Sequence, residues 1–367
     1  MKQQQIQHVF EHLHNHAEVS WKEIETTNYL VELFEASGFS PQRFKNCPGF
    51  YVEIGSGHPV VGLRADMDAL WQEVDGEMKA NHSCGHDAHM TIVTGVMHEL
   101  KDRVLPHTGT VRAIFQPAEE LGNGSLSVVA EGVADDLDYL YGVHLRPHDE
   151  ISFPQCAPGI QHGACVFAKG WIKGHDAHGA RPHQGVNAIE VLFAIQQHIN
   201  TIHVDPHIAA TIKFTNIQAG TDNLNIIPGN ATFGLDIRAQ TNEAMAKIQH
   251  DTQKIIATMR QLYACDIEFT FLDDVPAAEV DADASALLAT SIQHVLQQEA
   301  LPVIVTPGAD DFHFYTIERP QIKATMLALG ADVAPGLHHP NMTFNPQAIE
   351  NGIAILTDVV CRTLAYK

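Results

Sequence analysis

The chain has little positive charge. Its 22 Lys and Arg face 44 Asp and Glu, giving a formal net charge of −22. Nucleic acid and anionic membrane surfaces both demand a basic face, so neither is expected as a partner. Cysteine is scarce as well. Cys47, Cys84, Cys156, Cys165, Cys265 and Cys361 stand far apart, and a chain this long needs no covalent staples, so they read as free thiols. No apolar run approaches the ~18 residues that span a bilayer. The N-terminal segment MKQQQIQHVFEHLHNH has neither an apolar core nor a cleavage-like site, so no signal peptide is expected and the reading is a soluble, cytoplasmic protein. Repeats, low-complexity tracts and Gly/Ser linkers are also missing.

What the chain does have is apolar content and histidine. Its 367 residues are 45% hydrophobic, enough for a sizeable core and, at roughly 150 residues each, about two domains. The 24 histidines are unusual in number. Metal binding and scattered surface positions give the same count, so only spacing and neighbours separate them.

Ile24, Thr27, Val31 and Phe34 recur at helical spacing across 23–37, with Gly38 as the stop. Residues 60–65 read as a buried strand running into Asp66, and 110–115 as a second that ends at Gln116-Pro117-Ala118-Glu119-Glu120. Residues 140–145 read as a third, ending at His144. Between them, 87–102 reads as a helix whose apolar stripe is Met90, Val93, Val96, Met97 and Leu100. This alternation predicts an α/β sheet with helices on both faces. The middle follows a different pattern: strand 166–174, helix 186–202, strands 210–217 and 230–238, helix 242–262, strand 267–272. That βαββαβ order is the ferredoxin-like arrangement. The expected organisation is a catalytic α/β domain over 1–168 and 277–367, interrupted by a small α+β domain over 169–276.

Five short segments carry metal-type ligands: Arg64-Ala65-Asp66-Met67-Asp68, His82-Ser83-Cys84-Gly85-His86-Asp87, Glu119-Glu120, His144 and His338-His339. Several follow predicted strands, and in an α/β sheet ligands gather at the carboxyl edge of the strands. Each has a bland alternative. Asp66 and Asp68 suit a turn, Glu119-Glu120 a solvated pair, His144 a core histidine and His338-His339 the surface. A thiol and an imidazole flanking one glycine, as in Cys84-Gly85-His86, can both reach a single ion, and zinc accepts both donors. Taken together in one chain, the segments are hard to explain without metal.

The combination resembles the amidohydrolase branch of the aminoacylase and zinc-carboxypeptidase metallopeptidases, which contains hippurate hydrolases, N-acetyl-amino-acid deacetylases and indole-acetyl-amino-acid hydrolases. It rests on residues 62–70 (GLRADMDAL), 84–89 (CGHDAH), 115–120 (FQPAEE), 142–144 (GVH) and 337–340 (LHHP), with 178–183 (HGARPH), 225–228 (NIIP) and, more loosely, 308–312 (GADDF). The resemblance implies a zinc-peptidase-like catalytic domain with an inserted ferredoxin-like lid and dimerisation domain. It implies that Cys84, His86, Glu120, His144 and His338 hold two divalent metal ions per chain, with the Cys84 thiolate between them. It makes Glu119 the general base, Asp68 a group orienting a ligand, and His178 the contact to the substrate carbonyl. Arg238 and Asn225 become substrate-binding groups. His339 stands where the family often has Ser and is left out of the metal set.

The implied partner is a small N-acyl amino acid or short peptide, and the implied assembly a homodimer through the inserted domain. Zinc suits the mixed S, N and O donors best, while manganese, cobalt or nickel can also occupy such a site. Two departures stand out: Trp71 replaces the usual Pro, with a shortened stretch to Asn81, and His175-Asp176-Ala177 replaces a Gly-rich approach to His178. The first puts substrate size in question, the second the approach of the inserted domain. Three alternatives remain: a dipeptidase of the same mechanism, a non-catalytic metal-binding pseudoenzyme, and a Cys84-nucleophile hydrolase. The last leaves Glu119-Glu120 and His338 without a role.

Overall fold

A computed structural model of the chain describes residues 1–103 and 108–365. It divides into two compact units. One comprises Met1–Gln161, Glu279–Val305 and Asp310–Lys367; the other comprises His162–Ala278 and Thr306–Ala309. The sequence pattern set these boundaries at 169 and 276, but the first strand of the smaller unit begins at Ala164.

The larger unit is built on a seven-stranded sheet. In spatial order its strands are Gln42–Arg43, Phe50–Ser56, Gly109–Gln116, Val60–Asp66, Tyr139–Pro147, Lys323–Val333 and Cys156–Ala157. The four strands from Gly109–Gln116 to Lys323–Val333 run parallel, and the flanking pairs are antiparallel. Every residue of Val60–Asp66 is buried, as a parallel strand covered on both faces requires. Alternating residues feed two cores. Val61, Leu63, Val111, Ala113, Tyr141 and Val143 face one; Val60, Ile114, Leu140 and Met326 face the other.

The helix His86–Leu100 is buried around nearly its whole girth, not along one stripe. The apolar stripe read from the sequence is therefore only part of its contact surface. Its neighbour is the terminal helix Gln347–Ala365, and small residues let the two approach closely. A Cβ on Gly95 would lie 2.4 Å from Ile353 Cδ1, and one on Gly352 would lie 2.8 Å from Ile92 Cδ1. Residues 70–81, which carried no sequence assignment beyond being short, form the hairpin Leu70–Val74 with Glu77–Asn81. Asp75 and Gly76 both take positive φ in its two-residue turn, the conformation that an Asp-Gly pair favours.

The smaller unit has a four-stranded antiparallel sheet in the order Ala210–Ala219, Asn230–Ala239, Ala164–Lys173, Asp266–Val275. With helices Ala188–Ile199 and Asn242–Tyr263 it completes a βαββαβ fold with its own core. Asn187 and Thr241 cap the two helices by accepting the amides of Ile189 and Ala244. All six cysteines are free. Among the described residues, no helix is long and apolar enough to cross a membrane.

Gly95→Ala should cost about 1–3 kcal/mol, because the added methyl meets Ile353 in a packed crossing. Urea unfolding measures this; an unchanged midpoint would mean that the two helices can part freely.

Candidate metal centre

The parallel register pairs Asp66 with Gln116, so the loop carrying Asp68 leaves the sheet beside the loop carrying Glu119 and Glu120. His144 lies within the next strand rather than at its end, since that strand runs on to Pro147. Gly85 caps the helix that begins at His86 with φ +89, and a Cβ there would sit 2.8 Å from Leu145 Cδ1. That left-handed turn lets the residues on either side of it serve one place.

The donor atoms of Cys84, His86 and His144 all lie within 4.8 Å of one another, as do those of Cys84, Glu120 and His338. The two triads share the Cys84 sulfur. His86 Nδ1 lies 2.8 Å from the Asp68 carbonyl oxygen, and His144 Nδ1 lies 2.7 Å from the Leu145 carbonyl oxygen. Each carbonyl requires an N–H on Nδ1, which leaves the Nε2 lone pair for a ligand. His86 Nε2 and Glu120 Oε1 are buried without a hydrogen-bond partner. Orphaned donors of this kind beside a thiol fit divalent ions. Two further acidic clusters are closed. His89 is committed at both nitrogens, to Asp66 at 2.7 Å and to the Leu145 amide at 3.0 Å. Asp311 accepts from Arg64 at 2.7 Å and from the Gln116 amide.

The electrostatics show an excess of negative charge. Burial, then Asp310 and Glu120, pushes the Glu119 carboxyl well above its usual value. Burial and the Glu120 carboxylate do the same to the Cys84 thiol. Burial opposes ionisation of Asp66 too, but His86, His89 and Arg64 outweigh it and hold that carboxyl well down. Burial, with His89 beside it, drives His144 toward the neutral form that a ligand needs. A bound cation would stabilise the thiolate and the carboxylates that burial now disfavours.

Asp68 is fully engaged. Its carboxylate accepts the Glu119 and Glu120 amides at 3.1 and 3.0 Å and the Ser20 hydroxyl at 2.7 Å. Sequence reasoning missed Ser20 and Glu23. Glu23 read as a helix start; it is in fact buried just before the helix Ile24–Ala36, and its Oε1 accepts the Ala118 amide at 2.7 Å. Burial, aided by Asp68, raises its carboxyl to about 7. Ala118 is a non-glycine residue at φ +53, so Glu23 holds a left-handed turn immediately before Glu119. The only local hint was a charged residue ahead of an apolar helix, which normally marks a surface.

The other sequence-derived site residues lie in the smaller unit. His178 sits in a short strand paired with Ile226, exposed, with its Nδ1 accepting the Ala180 amide at 3.0 Å. Asn225 is beside it, its carbonyl accepting the Gly179 amide at 2.8 Å. The Arg238 guanidinium is paired with Asp236 at 2.8 Å and lies over the Phe167 ring. Asp176, in the unusual approach to His178, accepts the Gly229 amide at 2.7 Å. In the larger unit, His339 closes its own turn on the Asn341 amide at 3.1 Å, and Trp71 is 61% exposed.

The family model described as Peptidase family M20/M25/M40 matches residues 62–362. The chain belongs to this family. It is a metal-dependent hydrolase acting on amide bonds. It is 28% identical to the N-acetylcysteine deacetylase of Bacillus subtilis, over 92% of this chain and 91% of the relative. To an IAA-amino acid hydrolase of Arabidopsis thaliana it is 26% identical, over 96% of this chain and 85% of that protein. The fold matches that of a Bacillus subtilis protein described as a dinuclear metal binding peptidase of the M20 family. That match has a TM-score of 0.84 at 23% identity, covering 99% of this chain and 98% of the other.

Glu23→Ala leaves the buried Ala118 amide unpaired and should cost about 1–3 kcal/mol in denaturant unfolding. Glu23→Gln keeps the acceptor and should lose far less; equal losses would mean that the amide finds another partner.

Proposed function

We propose that the chain hydrolyses the amide bond of N-acyl amino acids, using two divalent metal ions. The observation that carries this reading is the pair of ligand triads sharing Cys84, with the buried Glu119 beside them. In it, Cys84, His86 and His144 hold one ion and Cys84, Glu120 and His338 the other. Zinc fits the mixed sulfur, nitrogen and oxygen donors best, with manganese, cobalt or nickel as substitutes. When bound, the ions supply Lewis acidity toward the carbonyl oxygen and lower the pKa of water.

Glu119 is the general base. It takes a proton from the attacking water and returns it to the leaving amine nitrogen as the C–N bond breaks. A buried carboxylate beside the two triads, made ionisable by bound cations, suits both halves of that transfer. Asp68 fixes the backbone from which Glu119 and Glu120 project. His178, Asn225 and Arg238 are assigned to the substrate on the resemblance, Arg238 for a free carboxylate. On the resemblance, the smaller unit is assigned as lid and as the surface of a homodimer; its exposed Phe167, Trp171, Phe193 and Leu224 favour the second role.

A panel of N-acetyl amino acids, N-benzoyl amino acids and dipeptides, each with zinc, manganese, cobalt or nickel, tests the substrate class. N-acyl amino acids should be turned over fastest, and chelation should abolish the activity. A preference for dipeptides would favour a peptide hydrolase of the same mechanism. Activity surviving complete metal removal would sink the mechanism. Glu119→Gln should retain both ions and lose about 10²–10⁴-fold in kcat; near-normal turnover would move the base elsewhere.

A further inference from the structure

His338 is the exposed member of its triad. Its side chain is 52% accessible, and its Nε2 lies 3.4 Å from Glu120 Oε2. Little packing therefore fixes the imidazole, and its aim depends on the backbone that carries it. That backbone takes φ +63, a left-handed conformation that a non-glycine residue holds only when its surroundings impose it.

Both polar groups of the His338 backbone are tied to one place. Its N–H donates to the Ser83 carbonyl at 2.8 Å, and its carbonyl accepts Gln72 Nε2 at 2.8 Å. The Ser83 hydroxyl donates to Gln72 Oε1 at 2.9 Å, which closes a ring of three hydrogen bonds through His338, Ser83 and Gln72. Asn81 braces the ring. Its Nδ2 lies 3.1 Å from Gln72 Oε1 and 3.0 Å from the Pro340 carbonyl. Ser83 immediately precedes Cys84, so the ring ties the loop of the exposed histidine to the thiol in its own triad. The hairpin makes this possible. Strand alternation turns Gln72 inward with Leu70 and Val74, and Trp71 outward. The shortened 70–81 stretch thus supplies a polar arm.

We propose that Gln72 is a positioning residue that clamps the left-handed His338 loop onto the Cys84 loop and thereby sets the affinity of the outer metal position. The inference rests on the metal-binding reading above. Gln72 does not reach the ligand atoms; it acts through the His338 backbone, as supporting groups around metal ligands do.

Gln72→Met keeps the size of the side chain and deletes all three contacts. Zn²⁺ titrated against a chelating indicator, with elemental analysis after dialysis, should find two ions on the wild-type chain. In Q72M the weaker of the two should lose about 10–100-fold in affinity while the tighter one is unchanged. The thermal midpoint of metal-free Q72M should stay near that of the metal-free wild type, whereas the gap should open on adding Zn²⁺. Gln72→Glu retains the acceptor but loses the donor to His338, and should weaken the same ion. If Q72M fails to fold, Ser83→Ala removes one bond of the ring and should weaken that ion by a smaller factor. Unchanged affinity for both ions in these variants overturns the clamp and leaves the proposed function standing. Equal weakening of both ions, or a loss confined to metal-free stability, also overturns it. A wild-type chain that takes up no ion overturns the clamp and the proposed function together.

Discussion

The carboxyl edge of the sheet depends on one buried cation. Arg64 is 1% exposed, and its guanidinium donates to Gln116 at 2.9 Å, to Asp66 at 2.6 Å and to Asp311 at 2.7 Å. A planar fork with fixed donor directions can bind three acceptors from three segments at once, which a lysine cannot. It thereby joins the strand Val60–Asp66, the strand Gly109–Gln116 and the turn at Asp311. Without it, Asp66, Asp311, Glu119 and Asp310 would crowd a dry space, and buried like charges are costly unless paired. Arg64 compensates the rear of this cluster. At the front, around Cys84 and Glu120, no arginine or lysine pairs with these groups among the described residues; the thiol is pushed up and donor atoms stand orphaned.

The donors at the front are presented by strained backbone held from outside. Gly85, Ala118 and His338 all have positive φ, and each adjoins or carries a residue of the triads or the proposed base. Glycine adopts that geometry freely; alanine and histidine do not. The two costly positions are those with external supports, Glu23 on the Ala118 amide and the Gln72–Ser83 ring on His338. Strain and support occur together because a turn that aims a side chain sharply is not one the chain would choose locally.

Much of this was legible in the sequence, for a physical reason. The side chains that most readily hold zinc-type ions are Cys, His, Asp and Glu, and short loops after strands keep the candidates in compact motifs such as Cys84-Gly85-His86 and Glu119-Glu120. The α/β pattern and the βαββαβ order were legible from periodicity, because each sheet face or helix stripe is buried in register. The supports were not. Ser20, Glu23 and Gln72 are ordinary polar residues whose partners lie 48, 95 and 266 positions away. No local pattern announces a contact at that separation. Asp75-Gly76 was a readable turn signal, and it marks the hairpin that carries Gln72. The helix His86–Leu100 was under-read because an amphipathic stripe and burial on all sides differ only in what packs on the polar side. There Thr91, Thr94 and His89 are buried with the rest.

The two triads differ in enclosure, and this bears on how such a site is assembled. Cys84, His86 and His144 are all buried, with both imidazoles locked through Nδ1 to backbone carbonyls inside the core. Cys84, Glu120 and His338 range from buried to exposed, and the histidine comes from a loop near the other end of the chain. In the first, ligand geometry is fixed by the same packing that makes the fold, so little remains to be ordered when an ion enters. In the second, the outermost ligand must be held by hydrogen bonds that compete with water, and such bonds are worth less at the surface than in the core. If both triads hold ions as proposed, an inner position set in the core and an outer one held at the surface would differ in affinity. Under the proposed function the shared thiol would also couple them, because an ion at either position would favour the Cys84 thiolate.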